Sequence, residues 1–205
     1  GGEFTDEVYR KFGIRVRVIP GEREAELIYK GVRQAVTLDE SYAMILDIGG
    51  GSNEFIICNR SGMAWKQSFE LGMARILELF TLSDPITPEE IRALESYFLE
   101  GLLPLRNIVQ EYRPATLIGA SGAFDTFYDL LSHSMDWPGD HRYGREIPMP
   151  DYINLYHRLL HSTAQERRAM PGMEPVRVEM IVPASIFVSF VLRACRISHL
   201  PPWKM

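Results

Sequence analysis

Eight consecutive residues, Asp47-Ile-Gly-Gly-Gly-Ser-Asn-Glu54, carry the densest chemistry in the chain. A turn built on Gly49, Gly50 and Gly51 has no Cβ atoms, so its backbone can approach an anion closely and aim several N–H groups at it. Ser52 adds a hydroxyl. Asp47 before the turn and Glu54 after it would repel a phosphate directly. They make sense with a divalent cation between them and the anion, and magnesium suits a site that offers few carboxylates and keeps its waters. A second candidate is the turn at 118–124, where the small residues Gly119, Ser121 and Gly122 place helix N–H groups against an anion or nucleotide. Glu22, Glu24 and Glu26 open a helix after Pro20-Gly21, where acids complement the dipole and are solvated as a rule. His157 and His161 have metal-ligand spacing but no third ligand, and read as a solvated helix face. Arg167 and Arg168 could add to a polyanion surface, although such pairs are usually just exposed.

The loop needs strands to hold it. Tyr42 to Ile48 reads as a central strand, Glu54 to Cys58 as its neighbour, and Met63 to Leu71 as a third after the turn at 59–62. Short turns between them imply an antiparallel meander. Upstream, residues 4–12 carry helix-spaced apolar positions and Gly13 is a natural C-cap. Strict alternation over Ile14–Ile19 predicts a half-buried strand, and Glu22 to Val36 a helix. Downstream, Met73 to Phe80 is a short helix. Thr87, Pro88 and Glu90 start another that is expected to run to about Tyr112. Pro114 to Gly119 is a strand, followed by a helix through Leu131 in which Phe124, Phe127 and Tyr128 face the core. A polar loop spans 132–150 and includes the Asp140-His141 pair. Residues 151–160 and 164–170 are helical pieces, and 174–197 a last helix kinked at Pro183.

Composition narrows the setting. The chain has 205 residues and a net charge of −5, which argues against a nucleic-acid surface working by phosphate neutralisation. An acidic protein that binds polyanions must do so locally, with amides, a metal and a few placed arginines. No apolar run reaches the roughly 20 residues a membrane helix requires, and no leader pattern opens the chain. Two cysteines, Cys58 and Cys195, make no disulfide framework and read as buried thiols of a cytoplasmic protein.

The octad at 47–54 resembles a phosphate motif, D-I-G-G-G-S-x-E, of the exopolyphosphatase/guanosine pentaphosphate phosphohydrolase family. Three further segments occur in that family's order. Gly21 to Val32 is similar to G-x-E/x-E-A-x-L-I-x-x-G-V, which makes Glu24 the match of the catalytic general base. Ile118 to Phe124 is similar to G-x-S-G-T, with Ala123 in place of Thr. Pro171 to Glu179 is similar to G-x-x-x-x-R-x-D, with Glu179 in place of Asp and Arg177 as the polyanion clamp. The resemblance implies an α/β fold of the ribonuclease-H-like type shared by actin, Hsp70 and the sugar kinases, with the meander, alternating helix and strand, and extra C-terminal helices. Residues 1–38 would be the tail end of an N-terminal lobe and residues 39–205 the second, phosphate-binding lobe.

The implied activity is magnesium-dependent release of terminal phosphate from polyphosphate or a guanosine penta- or tetraphosphate, by a homodimer. Two family segments, an N-terminal D-x-G-S/T-N-S loop and a C-terminal G-L-R-E-G strand, have no match here. The expectation is therefore an incomplete copy that hydrolyses little or nothing by itself. Two other functions compete: a polyphosphate- or alarmone-binding module of weak activity, and an actin- or Hsp70-like ATPase.

Overall fold

The computed structural model describes residues 2–134 and 147–197. The Asp140-His141 pair and most of the expected loop at 132–150 lie outside the described residues. The order is α1 (Gly2–Phe12), α2 (Gly21–Ala35), β1 (Ala43–Ile48), β2 (Asn53–Asn59), β3 (Gly62–Phe69), α3 (Met73–Leu79), α4 (Pro88–Gly101), α5 (Leu103–Tyr112), β4 (Thr116–Gly119), α6 (Gly122–Ser134), α7 (Met149–Leu160), α8 (Ala164–Arg168), a 3-10 turn (Pro175–Arg177) and α9 (Ile181–Ala194). The sheet runs β3-β2-β1-β4, with β1 antiparallel to β2 and parallel to β4. The expected meander followed by helix and strand is thus present, as a ribonuclease-H-like mixed sheet with helices on both faces.

Alternation along the strands divides the core in two. Ala43 and Ile45 of β1, Ile56 and Cys58 of β2 and Ile118 of β4 face α2, which supplies Ala25, Tyr29 and Val32. Met44, Leu46, Phe55 and Ile57 face the other way, into a larger cluster with α4, α6, α7 and α9. Phe98, Phe127 and Phe187 are fully buried there, each worth about 1.5–3 kcal/mol relative to exposure. Phe124 and Tyr128 are buried as expected. Helix α9 is predominantly apolar and buried over Ile181–Val188, as a central helix must be. Cys58 and Cys195 are free, buried in different clusters, and burial pushes both thiols up to about 12. No helix among the described residues is long and apolar enough to cross a membrane.

Four expectations need correction. The alternating segment Ile14–Ile19 forms no strand; Ile14, Val16 and Val18 are exposed, and no described strand pairs with it. Alternation meets only half of a strand's requirement, because the backbone N–H and C=O groups also need a ladder partner. The helix from Thr87 does not reach Tyr112 unbroken, because Pro104 has no N–H to return to the carbonyl of Glu100; α4 ends at Gly101 and α5 restarts at Leu103. The last helix has no kink at Pro183, which occupies the third position of α9, where the N–H has no intrahelical partner anyway. Residues 175–177 form a separate turn.

The fourth correction concerns Arg167, which is buried rather than displayed. Its Nε donates to Val178 O at 2.9 Å, its Nη1 to Ser162 O, and its Nη2 pairs with Asp84 Oδ1 at 2.9 Å. Arg168, His157 and His161 are exposed.

Candidate phosphate-binding crevice

The glycine loop links β1 to β2 by a turn in which Gly49 N–H donates to Ser52 O at 3.0 Å. Its carbonyls all point one way. Gly49 O accepts from Met73 N at 2.9 Å, Gly50 O from Ala74 N at 2.9 Å and Arg75 N at 3.3 Å, and Gly51 O from Gly72 N at 3.3 Å. The loop therefore satisfies the orphan N–H groups that begin α3. A trans peptide carries its N–H opposite its C=O. The amides of Gly50, Gly51 and Ser52 are consequently presented together on the side away from α3. None of the three donates to a group among the described residues.

The glycines are not equivalent. A Cβ at Gly49 would lie 2.5 Å from Ser52 O, so the turn itself requires glycine there. A Cβ at Gly51 would meet nothing within 4 Å, and one at Gly50 only Ala74 Cβ at 3.6 Å. The fold makes no demand for glycine at these two positions; close approach by a ligand would. Gly72, which the sequence reading did not single out, is needed for packing, because a Cβ there would sit 2.3 Å from Gly50 O. Asn53 clamps the same region, with Nδ2 donating to Leu71 O at 2.8 Å.

Asp47 and Glu54 are direct cross-strand partners. Both lie on the sheet face that α2 covers, and Glu54 is only 2% exposed. Like charges directly opposite each other destabilise a ladder. Burial, then Glu54, then Glu24, push Asp47 up to about 7. Glu24, in the first turn of α2, is raised by burial and by Glu54. The three carboxylates therefore share one electrostatic neighbourhood beside the loop. Ser52 does not aim its hydroxyl at the loop's open side; Oγ donates to Glu54 Oε1 at 2.6 Å. Ser68 Oγ donates to the same oxygen at 2.9 Å. Among the described residues no group of three or more His, Cys, Asp or Glu side chains is arranged to hold a metal ion.

The second turn stands beside the first because β4 is parallel to β1: Gly119 pairs with Leu46, and Ala120 N donates to Leu46 O at 2.8 Å. Gly119 is explained by packing, since a Cβ there would fall 2.2 Å from the Phe124 ring. Gly122 lets Arg177 lie against the start of α6; a Cβ would sit 2.2 Å from Arg177 Nη2. A guanidinium at a helix N-terminus adds positive charge to positive dipole, which an anion would relieve. Arg177 Nε and Ser121 Oγ are both buried without a hydrogen-bond partner. A small cavity of about 20 Å³ is lined by Gly49, Gly50, Ala123 and Arg177, so the two turns open on one crevice. It lies beyond the carboxyl ends of β1 and β4, where open α/β sheets bind ligands.

Residues 1–201 match the family model described as the Ppx/GppA phosphatase family. Exopolyphosphatase 2 of Mycobacterium tuberculosis is 27% identical over 184 residues, which cover 90% of this chain and 57% of that protein. The crystal structure of an exopolyphosphatase from Cytophaga hutchinsonii superposes with a TM-score of 0.91 at 35% identity, covering 99% of this chain and 66% of that one. A crystal structure of the Aquifex aeolicus Ppx/GppA family member, 20% identical, shares the fold with a TM-score of 0.77 over 99% of this chain. The chain thus spans 57% of the length of the Mycobacterium relative.

Proposed function

Because the chain belongs to the Ppx/GppA phosphatase family, we propose that its crevice serves a phosphoanhydride hydrolase releasing terminal phosphate from inorganic polyphosphate or guanosine pentaphosphate. The observation that carries this reading is the triplet of amides at Gly50, Gly51 and Ser52, turned together beside an opposed carboxylate pair. Such a triplet cradles phosphate oxygens. The donor set fits a hard divalent cation: two adjacent carboxylates, one of them buried, with Asp47 pushed up to about 7 by burial and by the facing Glu54. Asp47 and Glu54 would hold magnesium, which when bound neutralises phosphate oxygens that these carboxylates repel.

Arg177 and the start of α6 at Ser121 and Gly122 form a second electropositive corner of the crevice, suited to the next phosphate along the chain. Gly119 contributes through packing. Glu24 has the raised proton affinity that a general base needs, on a helix seated over the carboxylate pair. Its role is to take the proton of the water that attacks phosphorus. In this reading residues 1–38 belong to an N-terminal lobe that leans α2 on the sheet, the substrate lies between the lobes, and the protein is a homodimer. The two buried free thiols suit a reducing cytoplasm.

Glu24→Ala in the whole protein tests the assignment. Phosphate release from long-chain polyphosphate should fall by a factor of about 10² to 10⁴ in kcat, while polyphosphate binding measured by calorimetry is retained. An unchanged kcat would end the role of Glu24 as base.

A further inference from the structure

Asp47, Glu54 and Ser68 form a row across three strands. Glu54 pairs with Asp47 on β1 and with Ser68 on β3, and direct antiparallel partners share a face. The row is capped by the first turn of α2. A Cβ on Gly21 would lie 3.0 Å from both Cβ and Oγ of Ser68 and 3.9 Å from Glu54 Oε1. Lys66, two residues before Ser68 on the same face, fastens that turn by donating to Glu22 O at 3.0 Å and Glu26 Oε1 at 2.7 Å. The helix that carries Glu24 is therefore seated on β3 as well as on the central strands.

Within the row, Glu54 Oε1 accepts two hydroxyl protons, one from Ser52 at 2.6 Å and one from Ser68 at 2.9 Å. Its other oxygen, Oε2, takes no hydrogen bond among the described residues. A buried carboxylate next to a second carboxylate would otherwise be free to rotate away from its neighbour's charge. Two donors on one oxygen remove that freedom. Ser52 belongs to the loop, whereas Ser68 belongs to β3 and lies across the ladder from Glu54, on the side opposite Asp47.

We infer that Ser68 is a positioning residue, whose hydroxyl fixes the Glu54 carboxylate for cation binding and whose small size lets α2 settle over it. This rests on the proposed role of Glu54 as a magnesium ligand. It draws on the general rule that partners orienting a metal ligand set its affinity. Serine meets both demands at once. Alanine seats the helix but removes a donor, and the approach is close enough that a Cβ on Gly21 would crowd Ser68 at 3.0 Å.

The test uses manganese as a spectroscopic stand-in for magnesium. Free manganese is titrated by electron paramagnetic resonance against the whole protein and its variants, with no substrate present. Ser68→Ala should weaken manganese binding on the order of tenfold or more, with the chain still folded by circular dichroism. The magnesium concentration for half-maximal phosphate release should rise in parallel, with KM for polyphosphate at saturating magnesium unaltered. Ser68→Cys adds only the bulk of sulfur over oxygen and is a poor donor, and should behave like Ser68→Ala in manganese binding. Manganese affinity within twofold of the wild type in both variants, while Glu54→Gln abolishes binding, overturns the role of Ser68 alone. Manganese binding that survives Glu54→Gln overturns the metal assignment and this inference with it.

Discussion

Asp47 faces Glu54 directly across the ladder, and the cost of that pairing sets a pH dependence. Its folded value of about 7 lies above its ordinary 3.8. The folded chain therefore keeps a proton that the unfolded chain releases. The stability Asp47 contributes is complete below its unfolded value and is lost as pH rises through about 7. Without divalent cations, the thermal midpoint should fall as pH rises from about 5 to about 8, and the fall should be smaller in Asp47→Asn, where this proton is absent. Saturating magnesium should flatten the wild-type slope, because a bound cation replaces the proton. A wild-type slope identical to that of Asp47→Asn would show that the carboxylate is solvated in solution. The two acids were legible from their positions flanking three glycines. Ser68 was not, because a lone serine in an alternating strand gives no hint of which carboxylate will stand beside it.

The loop and the helix after it form one element in energetic terms. The carbonyls of Gly49, Gly50 and Gly51 supply the acceptors that α3 lacks, and in doing so turn the amides outward. This makes glycine positions separable by experiment. Gly49→Ala drives a Cβ against Ser52 O and should destabilise the protein by about 1–3 kcal/mol, read from urea unfolding. Gly51→Ala meets open space and should leave unfolding unchanged while weakening polyphosphate binding at least tenfold by calorimetry. If Gly51→Ala binds polyphosphate as tightly as wild type, the amide cradle is not where phosphate sits. Three glycines in a row signalled a turn. They did not say that one is for the turn and two are for the space above it, since that depends on what packs around each Cα.

At the scale of the whole molecule, two arginines ten residues apart have opposite duties. Arg167 is buried and ties α8 to Val178 O, Ser162 O and Asp84, holding the segment that carries the 175–177 turn. Arg177 projects from that turn onto Gly122, with its Nε unpartnered. Arg167→Ala should destabilise the protein by about 3 kcal/mol, since Asp84 and two carbonyls lose their donor. Arg177→Ala should leave the unfolding midpoint near wild type and weaken polyphosphate binding. Loss of stability in Arg177→Ala with unchanged binding would make Arg177 a structural residue.

The sequence by itself determined the meander, the glycine turn, most helices and the order in which the motifs arrive, because periodicity, caps and turn chemistry are local properties. It did not determine that Ile14–Ile19 stands without a ladder, that Pro104 divides a helix while Pro183 does not bend one, or that Arg167 is interior. Each of these depends on which neighbour is present and where an N–H falls within its helix. The crevice itself was decided only in three dimensions. It exists because β4 lies parallel to β1, bringing turns about 70 residues apart in sequence to the same end of the sheet, and because the ladder register sets Asp47, Glu54 and Ser68 side by side.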